Sequence, residues 1–102
     1  MYEVLRTDKA EDQLRKIIIY IADDSGDVKI ALKYLDKIEE AINRLREFPK
    51  SGSIPRYSIL KKRGYRVLIV EKHLVFYKIN EKEETVIIHS IVDGRREYIN
   101  LI

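Results

Sequence analysis

Two adjacent arginines and a tyrosine, Arg95, Arg96 and Tyr98, crowd into the closing segment VDGRREYINLI, and a further arginine, Arg66, sits within the apolar run GYRVLIVEK. Arginine presents a planar fork suited to phosphate, and tyrosine can stack on a base or give up a proton. Lys61, Lys62 and Arg63 lie just before Arg66, where they would line the approach to a phosphate. If the strands bearing Arg66 and Arg96 lie close in one sheet, the two guanidinium groups converge on one face or edge. A structural reading competes for the same residues: Arg66 would pair with Glu97 or Glu71, and Tyr98 would cover the edge of the core.

Other chemistries find little support. There is no cysteine, which excludes disulfides, thiolate zinc sites and cysteine nucleophiles. His73 and His89 have no metal-ligand spacing around them, and the bland reading of each is a turn residue and a half-buried strand residue respectively. SGS and DGR lack the strand–glycine–helix setting of a phosphate loop, and no serine sits in an elbow motif. Glu39/Glu40 and Glu83/Glu84 read as solvating pairs. No metal and no cofactor is expected. The net charge of +3 hides an asymmetry: residues 1–48 sum to −2 and residues 49–102 to +5. Lys50, Arg56, Lys61, Lys62, Arg63 and Arg66 fall in one stretch with no acid among them. Such a stretch attracts nucleic acid or an acidic protein, or forms a solvated face.

The elements that must position these residues follow from hydrophobic period. YEVLR (2–6) alternates as a short strand. In the next segment Leu14, Ile17, Ile18 and Ile21 fall on one helical face, and Asp8 with Glu11 resembles a capping box. SGD (25–27) breaks that helix. A second helix runs through VKIALKYLDKIEEAINRLREF, with Ala31, Leu35, Ile38, Ile42 and Leu45 on its apolar stripe and Pro49 and Gly52 as the stop. The short break folds the two helices into a hairpin. GYRVLIVEK (64–72), HLVFYKI (73–79) and TVIIHSIV (85–92) then read as strands, joined at EKH (71–73) and NEKEE (80–84). Short links make them an antiparallel meander, and RREYINLI is either a final helical turn or extended. The predicted fold is α+β, β-α-α-β-β-β, with the meander covered on one face by the helical hairpin.

The length of 102 residues and the mix of 45% hydrophobic and 36% charged residues predict one folded domain over 1–102. No signal peptide is read at the N-terminus and no apolar run approaches the ~20 residues of a membrane span, so a cytoplasmic location is expected.

This order of elements, with FPKSG after the second helix, the GYRVL strand and a last strand ending in DGRREY, resembles the RelE/ParE superfamily of bacterial toxins over essentially the whole chain. The resemblance implies the toxin of a type II toxin–antitoxin module, held inactive by a cognate antitoxin that is acidic and partly disordered. RelE-like members cleave mRNA on the ribosome, whereas ParE-like members inhibit DNA gyrase without nuclease activity. The first activity is the leading expectation, which would make the protein a ribosome-dependent endoribonuclease. Under it Arg66 matches the strand arginine of the nucleases, Arg96 the arginine after their final strand, and Tyr98 their C-terminal tyrosine. Arg66 and Arg96 would stabilise the phosphorane, Tyr98 would orient the base or donate a proton, and Lys61 or Lys62 would serve as base. Lys61, Lys62, Arg63 and Arg95 would hold RNA phosphates. The long hairpin and the end at Ile102 resemble the ParE branch instead, and Tyr98 stands closer to Arg96 than in the nucleases.

Overall fold

The computed structural model describes residues 1–102. Strand β1 (Glu3–Arg6) leads into helices α1 (Asp8–Ser25) and α2 (Val28–Asn43), and α2 tightens into a 3-10 turn over Arg44–Arg46. A one-turn helix α3 (Ser58–Lys62) precedes β2 (Arg66–Val70), β3 (His73–Asn80) and β4 (Thr85–Asp93). A 3-10 turn over Ile99–Leu101 follows. The expected α+β order is present, with β2, β3 and β4 as the antiparallel meander. β1 adds to it in parallel beside β4, giving the order β1-β4-β3-β2. No helix is long and apolar enough to cross a membrane.

The helix ends follow from their caps. Thr7, not Asp8, caps α1: its hydroxyl accepts from the Ala10 amide at 3.1 Å and donates to the His89 carbonyl at 3.1 Å. The capping frame therefore begins one residue earlier than predicted, and the third helical position holds Ala10, which has no carboxylate to return the bond. Gly26 ends α1 in the left-handed conformation, with φ of 69°, and Asp27 immediately caps α2 by accepting from the Lys29 amide. One glycine and one aspartate thus reverse the chain.

The apolar stripes predicted on both helices bury against one face of the sheet. Leu14, Ile38, Ile42 and Leu45 meet Val70, Val75, Tyr77, Val86, Ile88 and Ile91. The opposite face is also covered, which the predicted one-sided arrangement omitted. There Leu60 of α3 and Tyr98 from the C-terminal segment close over Val67, Phe76 and Val92. A helix with a single buried apolar residue shows no period in sequence, which is why α3 was not anticipated.

β1 pairs with β4 only as far as Arg6↔Ile88, so the rest of that edge needs other partners. Beyond it β4 bulges: Ile88 faces Tyr77 and Ser90 faces Phe76, leaving His89 unmatched. α1 supplies the partners. Thr7 takes the His89 carbonyl, and Gln13 accepts from the Ile91 amide at 2.8 Å while donating to the Leu101 carbonyl at 3.1 Å. Replacing Thr7 by Ala removes both a helix cap and an edge bond. It should lower unfolding free energy by about 1–2 kcal/mol, seen as an earlier urea midpoint at unchanged slope, whereas Thr7→Ser should retain most of it.

Candidate functional site

Arg66 opens β2 opposite Tyr77, with both side chains on the helix-covered side of the sheet. The arginine Nη2 donates to the Lys50 and Gly52 carbonyls at 2.9 and 2.8 Å. The Tyr77 hydroxyl donates to the Pro49 carbonyl at 2.8 Å and accepts from the Gly52 amide at 3.0 Å. Together they bind the loop that leaves α2. Gly52 fits because it has no side chain; a Cβ there would stand 2.5 Å from the Tyr77 hydroxyl and 2.8 Å from the Val67 carbonyl. Arg66 has no ion pair with Glu71 or Glu97, and its Nε is buried without a partner. Neither sequence reading of Arg66 foresaw a backbone-binding role.

Tyr98 lies on the other face of the sheet and is only 8% exposed. Its ring packs 5.6 Å from Phe76 and meets Tyr57 edge-on at 5.5 Å. Burial pushes its hydroxyl above the ordinary tyrosine range. This part of the structural reading matches the geometry, with Tyr98 forming the lid of the second core. Lys61 and Lys62 end α3 and Arg63 follows it, all three exposed around that lid. Nearby on the same face, the Lys78 ammonium stands 4.6 Å from the centre of the Tyr65 ring, and His89 meets that ring edge-on.

Arg95 and Arg96 emerge elsewhere. β4 ends where Asp93 faces His73, level with Val70 at the far end of β2 from Arg66. Four residues of strand separate the two levels, about 13 Å, so Arg66 and Arg96 do not converge. Arg95 and Arg96 instead line a cleft of about 630 Å³ with Lys16 and Tyr20 of α1, Lys72 of the β2–β3 turn, and His73 and Asp93. Asp93 takes Arg95 into a two-point ion pair, which holds its carboxyl down to about 2. Lys16 pairs with Asp12, whereas Lys72 and Arg96 have no acidic partner. His73 is buried, with its Nδ1 2.6 Å from the Tyr34 hydroxyl, which also donates to the Val70 carbonyl at 3.0 Å. Burial pushes Tyr34 up to about 12 and holds His73 below the usual imidazole range. Lys16, Tyr20 and Lys72 carried no motif, since only the packing of α1 against the sheet end brings them together.

The chain matches the family model of the ParE toxin of type II toxin–antitoxin systems over residues 4–98. It is 33% identical over 95 residues to Toxin ParE3 of Caulobacter vibrioides, covering 93% of this chain and 89% of that protein. The fold resembles the chromosomal ParDE toxin–antitoxin system of P. aeruginosa, with a TM-score of 0.74 at 21% identity over 91% of this chain and 96% of that one. It also resembles the RelBE2 toxin–antitoxin complex of Mycobacterium tuberculosis, with a TM-score of 0.60 at 22% identity over 90% of each chain.

Arg66→Ala should cost about 1–3 kcal/mol of stability by leaving two loop carbonyls without their donor, and Tyr77→Phe a similar amount; denaturant unfolding measures both. A second expectation concerns pH. Both His73 and His89 titrate below the ordinary imidazole value, chiefly because burial opposes their charged forms. The unfolded chain therefore binds more protons just below pH ~6.5, and stability must fall as the pH drops through that region to the folded values. Asp93 adds a separate loss as pH falls from about 4 toward 2. Unfolding curves across pH should show both declines, and His73→Gln should flatten the first.

Proposed function

Because the chain belongs to the ParE toxin family of type II toxin–antitoxin systems, we propose that it arrests growth by binding DNA gyrase and not by cutting mRNA. The observation that carries this reading is the separation of the three side chains that cleavage would require. An in-line attack needs phosphorane stabilisation and proton transfer gathered around one phosphate. Arg66 is held by loop carbonyls on the helix side, Tyr98 is buried on the opposite face, and Arg96 faces a cleft at the far end of the sheet. In this reading Arg66 and Tyr98 are structural residues. Lys61, Lys62, Arg63 and Arg96 are exposed cations available to contact a macromolecule.

A cognate antitoxin of acidic, partly disordered character fits the helical hairpin together with the exposed cations. The helical hairpin exposes the apolar side chains Ile19, Val28, Ile30 and Leu32, which a segment that folds on binding would cover. Within the acid-free stretch, Arg56, Lys61, Lys62 and Arg63 supply complementary charge, whereas Lys50 is paired with Glu81. The solved relatives are themselves described as toxin–antitoxin systems or complexes.

The discriminating experiment adds the purified protein to gyrase supercoiling and, separately, to a reconstituted translation reaction whose mRNA ends are mapped. Loss of supercoiling with intact mRNA is expected. Ribosome-dependent cuts in the message, with supercoiling unaffected, would overturn the proposal.

A further inference from the structure

The cleft that receives Arg96 adjoins a second one of about 860 Å³, lined by Ile30, Lys33 and Tyr34 among others. The two share Tyr20, Ile21 and Lys72 as a common wall. The Arg96 side is mainly basic, and the other sets Ile30 and the rings of Tyr20 and Tyr34 among Lys33, Lys37, Asp24 and Glu71. We propose that together they form a binding site for a nucleotide, with its phosphates on Lys72, Arg96 and His73 and its base against Tyr20.

The phosphate end rests on what its polar groups lack. Asp93 already holds Arg95, and Asp12 shares Lys16, but Lys72 and Arg96 line the cleft without an ion pair of their own. His73 is only 4% exposed, yet it lines the cleft and its Nε2 has no protein partner. The buried ring is directional. With the Tyr34 hydroxyl donating to the Val70 carbonyl, that oxygen accepts from Nδ1–H and leaves Nε2 turned to the cleft as an acceptor. A second proton converts Nε2 into a donor for an anion. Asp93 and Glu71 favour that proton, whereas burial, Lys72 and Arg95 oppose it. Lys16 on α1 and Arg96 after β4 also border the cleft, and Tyr34 on α2 is neutral. A bound phosphate would add the negative charge that tips the balance toward the imidazolium.

The other end selects a nucleotide over a bare anion. Tyr20 is 63% exposed and sits where both clefts meet, so its ring is open to a flat partner. Ile30 and Tyr34 continue the apolar wall. The dimensions fall within the range of small-molecule pockets.

The test uses the full chain with ADP, adenosine and inorganic phosphate as probes, followed by calorimetry and by NMR of the His73 ring. ADP should bind saturably and more tightly than either fragment, and its saturation should raise the pH at which His73 titrates. Lys72→Gln and Arg96→Gln should each weaken ADP about tenfold, the loss of one charge-assisted bond. Tyr20→Ala should weaken ADP without altering the affinity for phosphate. Tyr20 and Arg96 are exposed and Lys72 is half-buried, and an unchanged amide spectrum verifies that each variant folds. ADP binding no tighter than phosphate, unchanged affinity in the Lys72 and Arg96 variants, or an unmoved His73 titration would each overturn the proposal.

Discussion

The chain must pass from the helix layer to the far side of its sheet, and the loop at residues 49–53 makes that crossing possible. Such a loop brings backbone carbonyls against a packed core, where an unmatched polar group is costly. Tyr77 takes the Pro49 carbonyl and the Gly52 amide, and Arg66 takes the carbonyls of Lys50 and Gly52. Ser53 then forms a two-bond antiparallel bridge with Val67 on the outer edge of β2. From there the chain reaches α3 and seals the second core. Arg66 is thereby anchored to the scaffold through Nη2, both of whose hydrogens go to loop carbonyls.

This crossing leaves the sheet covered on both faces, with different consequences at its two ends. Near Arg66 the covering is loop and backbone. Near Asp93, α1 comes down beside β4, whose bulge at His89 is answered by Thr7 and Gln13. The Gly94 amide then bonds the Lys72 carbonyl at 2.7 Å, tying the exit of β4 to the β2–β3 turn. A Cβ at Gly94 would press on Leu74 at 3.0 Å. The turn therefore hugs the sheet and delivers Arg95 and Arg96 to the cleft while Tyr98 folds over the other face.

Much of this fold was legible because it depends on period. Stripes such as Ile38–Ile42–Leu45 and strands such as HLVFYKI report burial residue by residue, and glycine at 26 marks a turn that few other residues can make. The parallel seat of β1, the crossing loop and the second core were not legible, since each depends on contacts remote in sequence. The site shows the same division. Arg95 and Arg96 were identified from type and position, but their neighbours Lys16, Tyr20, Lys72 and His73 come from three separate segments. Tyr98 was open between lid and catalyst, and its packing on Phe76 and Tyr57 was not legible in sequence. Tyr77, central to the loop, read as one more aromatic in a strand. Its hydroxyl acquires meaning only when Gly52 is 3.0 Å away.

What distinguishes a functional cation from a structural one in this molecule is the partner it already has. An arginine offers five N–H donors, and each donor bonded within the fold is withdrawn from any ligand. Arg6 is bound to Glu39 and Glu11 and Arg66 to the loop, so these two hold elements together, while Arg95 is taken up locally by Asp93. Arg96, Lys72, Lys61, Lys62 and Arg63 have no such bond, and they fall on two separate surfaces. One of these is a cleft shaped for a compact ligand, and the other is an open rim around a buried aromatic lid. Positive charge on an open rim acts mainly by steering and orienting an acidic macromolecule, which requires no convergence on a single atom. Phosphodiester cleavage does require that convergence. The same count of basic residues can therefore serve binding on a broad surface where it would not assemble a catalytic centre.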